Sequence, residues 1–138
     1  MGHAGDVTAR EAWAILQGAP AAQLVDVRSE AEWAFVGVPD LRSLGKEPVL
    51  IAWQSYPGMR RNPDFLTALI GRCADKTAPL LFLCRSGGRS AEAAAAVTAA
   101  GYERCYNVTG GFEGARDETG HRATVSGWKV AALPWVQS

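Results

Sequence analysis

The sequence predicts an α/β fold in which helices cover both faces of a parallel sheet, and three observations predict it. Apolar strand-like runs alternate with helical segments along the chain. The run Leu80–Leu83 is apolar without a break and begins after Pro79, as a strand buried on both faces should. Close behind it, Ala91–Ala100 contains seven alanines, a composition that favours a helix, and Gly101 is a natural stop. The 138 residues suffice for one core and are too few for two ordinary domains, so a single domain is expected, with residues 1–5 as a short tail.

The remaining elements follow from local signals. Asp6-Val7 reads as a short strand. Thr8-Ala9-Arg10-Glu11 and Ser29-Glu30-Ala31-Glu32 both match the capping box, in which the first and fourth residues satisfy each other's exposed backbone donors. The first helix should run to Gln17, where Gly18 and Pro20 end it, with Trp13, Ile15 and Leu16 as core contacts. The second should end by Gly37. Asn62-Pro63 should open a third, with Asn as cap and Pro in the first helical position, burying Phe65, Leu66, Leu69 and Ile70. Leu24–Val27, Val49–Trp53 and Cys105–Val108 join Leu80–Leu83 as strands.

Right-handed crossovers bring the carboxyl ends of such strands to one edge, where ligand sites form. Arg28, Gln54, Cys84 and Thr109 are expected there. Cys84 has the strongest chemistry around it. The segment Arg85-Ser86-Gly87-Gly88-Arg89-Ser90 leads from it into the alanine-rich helix. Unpaired N–H groups at a helix start attract anions, and two glycines allow the backbone to curl its amides inward. A thiol is nucleophilic as its thiolate, which such a site stabilises. Arg85 and Arg89 add guanidinium forks suited to a sulfonate or phosphate. A strand-end cysteine alone is better explained as a buried structural thiol. The two glycines and two arginines within five residues of it are what point to function.

Other features bound the reading. Basic and acidic residues balance at 14 each, so no global field favours nucleic acid or an acidic membrane. No apolar run is long enough to span a bilayer and no signal peptide is evident, which makes a cytoplasmic location the expectation. Cys73, Cys84 and Cys105 have neither metal-site nor disulfide spacing, and Cys73 and Cys105 read as small buried residues. Trp33, Trp53, Trp128 and Trp135 read as core or interface anchors, and His121 as a loop residue without a tie to Cys84. The glycine-rich and arginine-bearing loops at 54–62 and 109–127 are candidate walls of the site. Asp26 and Arg28 lie on alternate positions of one strand; they either pair with each other or serve the site, Asp26 as orienting group and Arg28 as positive charge.

Cys84-Arg85-Ser86-Gly87-Gly88-Arg89-Ser90 resembles the active-site loop of the rhodanese (thiosulfate sulfurtransferase) family. Leu24-Val25-Asp26-Val27-Arg28 followed by Glu32-Trp33 is similar to that family's strand ending in Asp-Val-Arg with a short helix behind it. Tyr106-Asn107-Val108 leading to Gly110-Gly111-Phe112, and Gly127-Trp128 through Leu133-Pro134, extend the resemblance over nearly the whole chain. Where many members carry Gly-His-Ile-Pro-Gly-Ala, this chain reads Val36-Gly37-Val38-Pro39-Asp40-Leu41 and lacks the histidine, which bears on substrate preference more than on activity.

The resemblance implies a rhodanese-like three-layer sandwich around a five-stranded parallel sheet. It implies a sulfurtransferase in which Cys84 takes sulfane sulfur from a small anionic donor such as thiosulfate and passes it to cyanide, a thiol or a protein acceptor through a persulfide. Arg85, Ser86, Gly87, Gly88, Arg89, Ser90 and Arg28 would bind the donor, with Asp26 in support and no metal or organic cofactor. Two alternatives stand beside it. One is a persulfide carrier or regulatory module without turnover. The other is a cysteine phosphatase or arsenate reductase, although the four residues between Cys84 and Arg89 make a shorter loop than such phosphatases use.

Overall fold

A computed structural model describes residues 4–55, 60–85, 87–114, 119 and 127–137. In chain order the elements are β1 (Gly5–Val7), α1 (Ala9–Gly18), β2 (Gln23–Asp26), α2 (Glu30–Val36), β3 (Val38–Pro39), a 3-10 turn (Arg42–Leu44), β4 (Val49–Leu50), β5 (Gln54–Ser55), β6 (Arg60–Arg61), α3 (Phe65–Arg72), β7 (Leu80–Leu83), α4 (Gly88–Ala99), β8 (Cys105–Val108) and β9 (Trp135–Val136). A five-stranded sheet runs β1-β8-β7-β2-β4, and every pairing in it is parallel. The expected α/β architecture is therefore the observed one. Two antiparallel ribbons, β3 with β9 and β5 with β6, flank it.

Strand β7 takes the middle position because its four residues are all fully buried, as its unbroken apolar run requires. The two-residue period of the strands splits the core in two. Leu80, Phe82 and Val25 pack with Phe65 and Leu69 of α3 and with Ala93, Ala94 and Val97 of α4. Leu81, Leu83 and Leu24 pack on the other face with Ala12 and Leu16 of α1, Phe112 and Trp128. Cys84 continues the parity of Leu80 and Phe82 and joins the α3/α4 side.

Both capping boxes form: Thr8 with Glu11 opens α1, and Ser29 with Glu32 opens α2. The third helix departs from expectation. It starts at Phe65 behind Asp64, while Asn62 is anchored to the preceding strand segment: its N–H donates to the Trp53 carbonyl at 2.8 Å and its Nδ2 to the Ala52 carbonyl at 3.0 Å. Asn62 Oδ1 accepts from Asp64 N at 3.0 Å, making a turn ahead of the helix rather than a cap on it. Phe65 and Leu69 face the core one turn apart, whereas Ile70, expected to be buried, is turned away and is 45% exposed.

Other boundaries shift by a few residues. The sheet ladder of β4 ends at Leu50, yet Ile51 and Trp53 still donate to the Asp26 and Val27 carbonyls and stay buried. The presumed tail enters the sheet at Gly5, and Ala4 N already donates to the Cys105 carbonyl at 2.8 Å. The C-terminal ribbon packs so closely on the exit of α2 that a Cβ at Gly37 would lie 2.8 Å from the Val136 carbonyl oxygen, and Gly37 has φ +103°.

Candidate active site

The end of β7 delivers Cys84 to the carboxyl edge of the sheet, where it is 1% exposed. Its Sγ accepts the Gly87 N–H at 3.1 Å and lies 3.2 Å from Ser90 Oγ. Gly87, at φ +118°, makes the sharp turn and stands at the N-cap of α4. The helix thus begins at Gly88, three residues earlier than expected, so Gly88, Arg89 and Ser90 form its first turn rather than a loop. Helical side chains lean toward the N-terminus, which lets Ser90 reach back to the sulfur. Ser86 lies outside the described residues, as do His121 and much of the segments 54–62 and 109–127.

The loop is braced from behind. Phe112 N donates to the Cys84 carbonyl at 2.8 Å, and Glu113 N and Gly114 N both donate to the Arg85 carbonyl at 3.0 Å. A side chain at Gly111 would overlap the Cys84 and Arg85 backbone, and its φ of +59° also favours glycine. Trp128 N donates to the Gly111 carbonyl at 2.8 Å, and a Cβ at Gly127 would lie 2.8 Å from the Gly110 carbonyl oxygen. The two glycine-aromatic motifs therefore meet directly under the cysteine loop.

The arginines divide. Arg85 is exposed, and its side chain takes no hydrogen-bond or ion-pair partner among the described residues. Arg89, expected to bind the donor, instead forks onto Glu32, Nη1 to Oε1 at 2.7 Å and Nη2 to Oε2 at 2.9 Å. Burial acts to raise the Glu32 pKa, but the bonds from Arg89 and from Ser29 outweigh it and bring the carboxyl down to about 2. In return Glu32 raises the Arg89 pKa against the opposing effect of burial. In the sequence Glu32 reads as a capping residue and as part of the family-like strand-helix segment, not as a partner of Arg89; a contact across 57 positions leaves no local signal.

Arg28 also departs from expectation. It is fully buried and pairs with Asp26, Nη2 to Oδ2 at 2.7 Å and Nε to Oδ1 at 2.9 Å. Its Nη2 also donates to the Gly37 carbonyl at 2.7 Å, and its guanidinium lies 4.3 Å from the centre of the Phe112 ring. Asp26 lies opposite Leu83 and has the parity of Leu24, both on the α1 face, whereas Cys84 is on the α4 face. Of the two readings open for this pair, the structure takes mutual pairing. Thr109 Oγ1 donates to the Val7 carbonyl, and Gln54 enters the β5/β6 hairpin.

Asn107 and its partner Asp6 join Glu32 as site neighbours that the sequence does not single out. Asn107 Oδ1 is 2.5 Å from Ser90 Oγ, and Asn107 Nδ2 donates to Asp6 Oδ1 at 3.3 Å. The available signal was the parity of β8: Asn107 alternates with Cys105 and so points inward, where a buried amide needs a partner.

All three cysteines are free thiols. Cys105 stands level with Leu80, four residues from Cys84 along β7, a distance of roughly 13 Å at the usual strand rise. Burial pushes the Cys73 thiol up to about 11 despite Arg72, and burial raises that of Cys105 despite Thr98. Trp53 and Trp128 are core residues, while Trp135 is 42% exposed with Lys129 Nζ 3.8 Å over its ring. Among the described residues no helix is long and apolar enough to cross a membrane.

The family described as the STR4 middle domain matches residues 4–138. The crystal structure of Rv0390 from M. tuberculosis superposes with a TM-score of 0.90 at 48% identity, covering 99% of each chain. An uncharacterized protein of Rickettsia conorii is 41% identical over 113 residues, 81% of this chain and 80% of its own. A thylakoid rhodanese-like protein of Oryza sativa is 35% identical over 132 residues, which is 95% of this chain but 25% of that protein.

Proposed function

The chain belongs to the family of the STR4 middle domain, a rhodanese-like domain by its relatives and fold, and within it we propose a sulfurtransferase that works through a Cys84 persulfide. One observation carries the reading: the Cys84 sulfur lies at the end of the central strand with the Gly87 N–H directed at it and the Ser90 hydroxyl 3.2 Å away. A sulfur anion there is met by a backbone donor, a hydroxyl and the start of α4.

In the proposed reaction the Cys84 thiolate attacks the outer sulfur of thiosulfate. The S–S bond of the donor breaks, sulfite leaves with its electron pair, and Cys84 holds the sulfur as a persulfide. Cyanide or a thiolate then attacks the terminal sulfur, and Cys84 departs as thiolate. Arg85 is the group we assign to the donor's sulfonate, because its fork is exposed while that of Arg89 is occupied. The Gly87 N–H and the Ser90 hydroxyl are the donors for the sulfur, and the roles of Ser86 and Gly88 follow from sequence alone. No step calls for a metal or an organic cofactor. The assay is sulfite release from thiosulfate with cyanide or a thiol as acceptor. Turnover is expected in the native protein and none in Cys84→Ala; persisting activity in that variant overturns the assignment.

A second reading is a persulfide carrier, in which the burial of Cys84 shields a held sulfur from small acceptors in solution. A stable gain of one sulfur atom at Cys84 after incubation with donor, without turnover on small acceptors, selects it. A phosphatase is disfavoured because the arginine that would close its phosphate cradle is held by Glu32. Hydrolysis of a phosphotyrosine analogue without persulfide formation would reverse that ranking.

A further inference from the structure

We infer that Asn107 is a positioning residue for Cys84 and acts by setting the direction of the Ser90 hydroxyl. The inference rests on the reading of Cys84 as the sulfur-carrying nucleophile.

Ser90 has a single hydroxyl proton and three acceptors near it: Asn107 Oδ1 at 2.5 Å, Cys84 Sγ at 3.2 Å and the Gly87 carbonyl oxygen at 3.2 Å. The contact with Asn107 is much the shortest. Asp6 sets the orientation of the amide from its other side. Strands β1 and β8 bring Asp6 and Asn107 into register, and Asn107 Nδ2 donates to Asp6 Oδ1 at 3.3 Å. Turning the amide over would put its oxygen against the Asp6 carboxylate, oxygen facing oxygen. The carboxylate therefore selects the orientation in which Asn107 offers an acceptor to Ser90.

With its proton on Asn107, Ser90 turns lone pairs toward the sulfur, an arrangement that suits a Cys84 thiol, which has a proton to give. A thiolate or persulfide anion needs a donor instead. Ser90 then swings its proton from Asn107 to the sulfur and leaves Asn107 Oδ1 without it. Ser90 is fully buried and Asn107 is 5% exposed, so solvent does not readily replace the lost bond. Asn107 thus competes with the sulfur for the same proton and biases the resting site toward the thiol.

The other charged groups around the sulfur come from known places. Arg89 of α4 is paired with Glu32 of α2, Arg85 follows Cys84, and the Asp26/Arg28 pair lies on the opposite face of the sheet. From β1 comes Asp6, and the inward positions of β8 are the uncharged Asn107 and neutral Cys105 thiol. Substitution at Asn107 leaves all of these in the sequence.

The test is the pH dependence of iodoacetamide alkylation at Cys84, read by mass spectrometry at that residue in the full chain. Removing the competing acceptor in Asn107→Ala should move the midpoint to lower pH by roughly half a unit to one unit, the worth of one hydrogen bond. The nearly isosteric Asn107→Asp, made together with Asp6→Asn so that the new carboxylate faces an amide and not a second carboxylate, should move it to higher pH, since a carboxylate holds the hydroxyl more strongly and brings negative charge closer to the sulfur. In a Ser90→Ala background the Asn107→Ala shift should vanish. An unmoved midpoint, shifts of the same sign in both Asn107 variants, or a full shift without Ser90 overturns the inference. If Asn107→Ala does not fold, the sign in Asn107→Asp decides. Alkylation needs no sulfur donor, so absence of sulfite release by the native protein overturns the sulfurtransferase reading without deciding this one.

Discussion

Arg89 and Glu32 join the first turn of α4 to the first turn of α2 by a two-point ion pair, with N–O distances of 2.7 and 2.9 Å. The same carboxylate also receives the N–H and hydroxyl of Ser29, so one side chain caps a helix and anchors the cysteine loop. This gives the site an acid sensitivity whose sign is defined. The folded-state pKa of Glu32 is about 2 against an ordinary value of 4.5, so its contribution is complete above about 4.5 and is lost as the pH falls toward 2. Glu32→Gln should lower stability at neutral pH by about 2 kcal/mol in urea unfolding and remove this part of the acid destabilisation. Equal acid slopes for the two proteins between pH 4.5 and 2 would show that the pair does not contribute.

The glycines of the site differ in what they tolerate. Gly111 has both a positive φ and no room, because an added Cβ meets the Cys84 and Arg85 backbone. Gly87 has a positive φ of +118°, but the nearest atom to an added Cβ is 3.8 Å away. Gly111→Ala should therefore cost about 3 kcal/mol or more and displace the loop, while Gly87→Ala should cost roughly 1–2 kcal/mol of backbone strain and keep the fold. Thermal unfolding of the two variants separates the cases. Equal losses would mean that the Gly111 contact relaxes easily.

Thiol chemistry should be confined to one position. All three thiols are buried, but Cys84 lies at the carboxyl edge of the sheet with the Gly87 N–H on its sulfur, whereas burial pushes the Cys73 thiol up to about 11 and raises that of Cys105. In the native protein at neutral pH, iodoacetamide should label Cys84 and leave the other two silent; in urea all three should react. Early labelling of Cys105 in native protein would contradict the packing around β8.

Much of this site could be read from the sequence because its signals are local. The apolar run Leu80–Leu83 fixes β7 at the centre, both capping boxes form as written, and Cys84, Gly87 and Ser90 converge because they follow one another through a turn. What escaped reading is the long-range pairing. Arg89 reads as a free cation until α2 brings Glu32 to it, and Asn107 reads as an ordinary strand residue until β1 and α4 supply its partners. The start of α3 lies two residues later than expected: Asn62 Oδ1 does accept from Asp64 N, but that bond closes a turn and the helical run begins at Phe65. Ile70 satisfied the composition of a buried face without its angle, since Phe65 and Leu69 point inward with Leu66 and Ala68 partly buried beside them.

The Asp26/Arg28 pair tests whether the face of the sheet, rather than proximity to the edge, decides a residue's role. Both side chains are fully buried, and Arg28 also holds the Gly37 carbonyl and stacks on Phe112. Asp26→Asn leaves a buried guanidinium without its counter-charge and should cost about 3–5 kcal/mol. Replacing both residues with Leu removes the unpaired charge and should cost much less than Asp26→Asn alone. Because the pair lies across the sheet from Cys84, any variant that remains folded should keep a near-native KM for thiosulfate, whereas Arg85→Ala should raise it about tenfold or more, the loss of one charge-assisted contact. Urea unfolding measures the first effect and sulfite release at varied donor concentration the second. A folded Arg28 variant with a raised KM and an unchanged kcat would return Arg28 to the donor site, the role that the family resemblance implies.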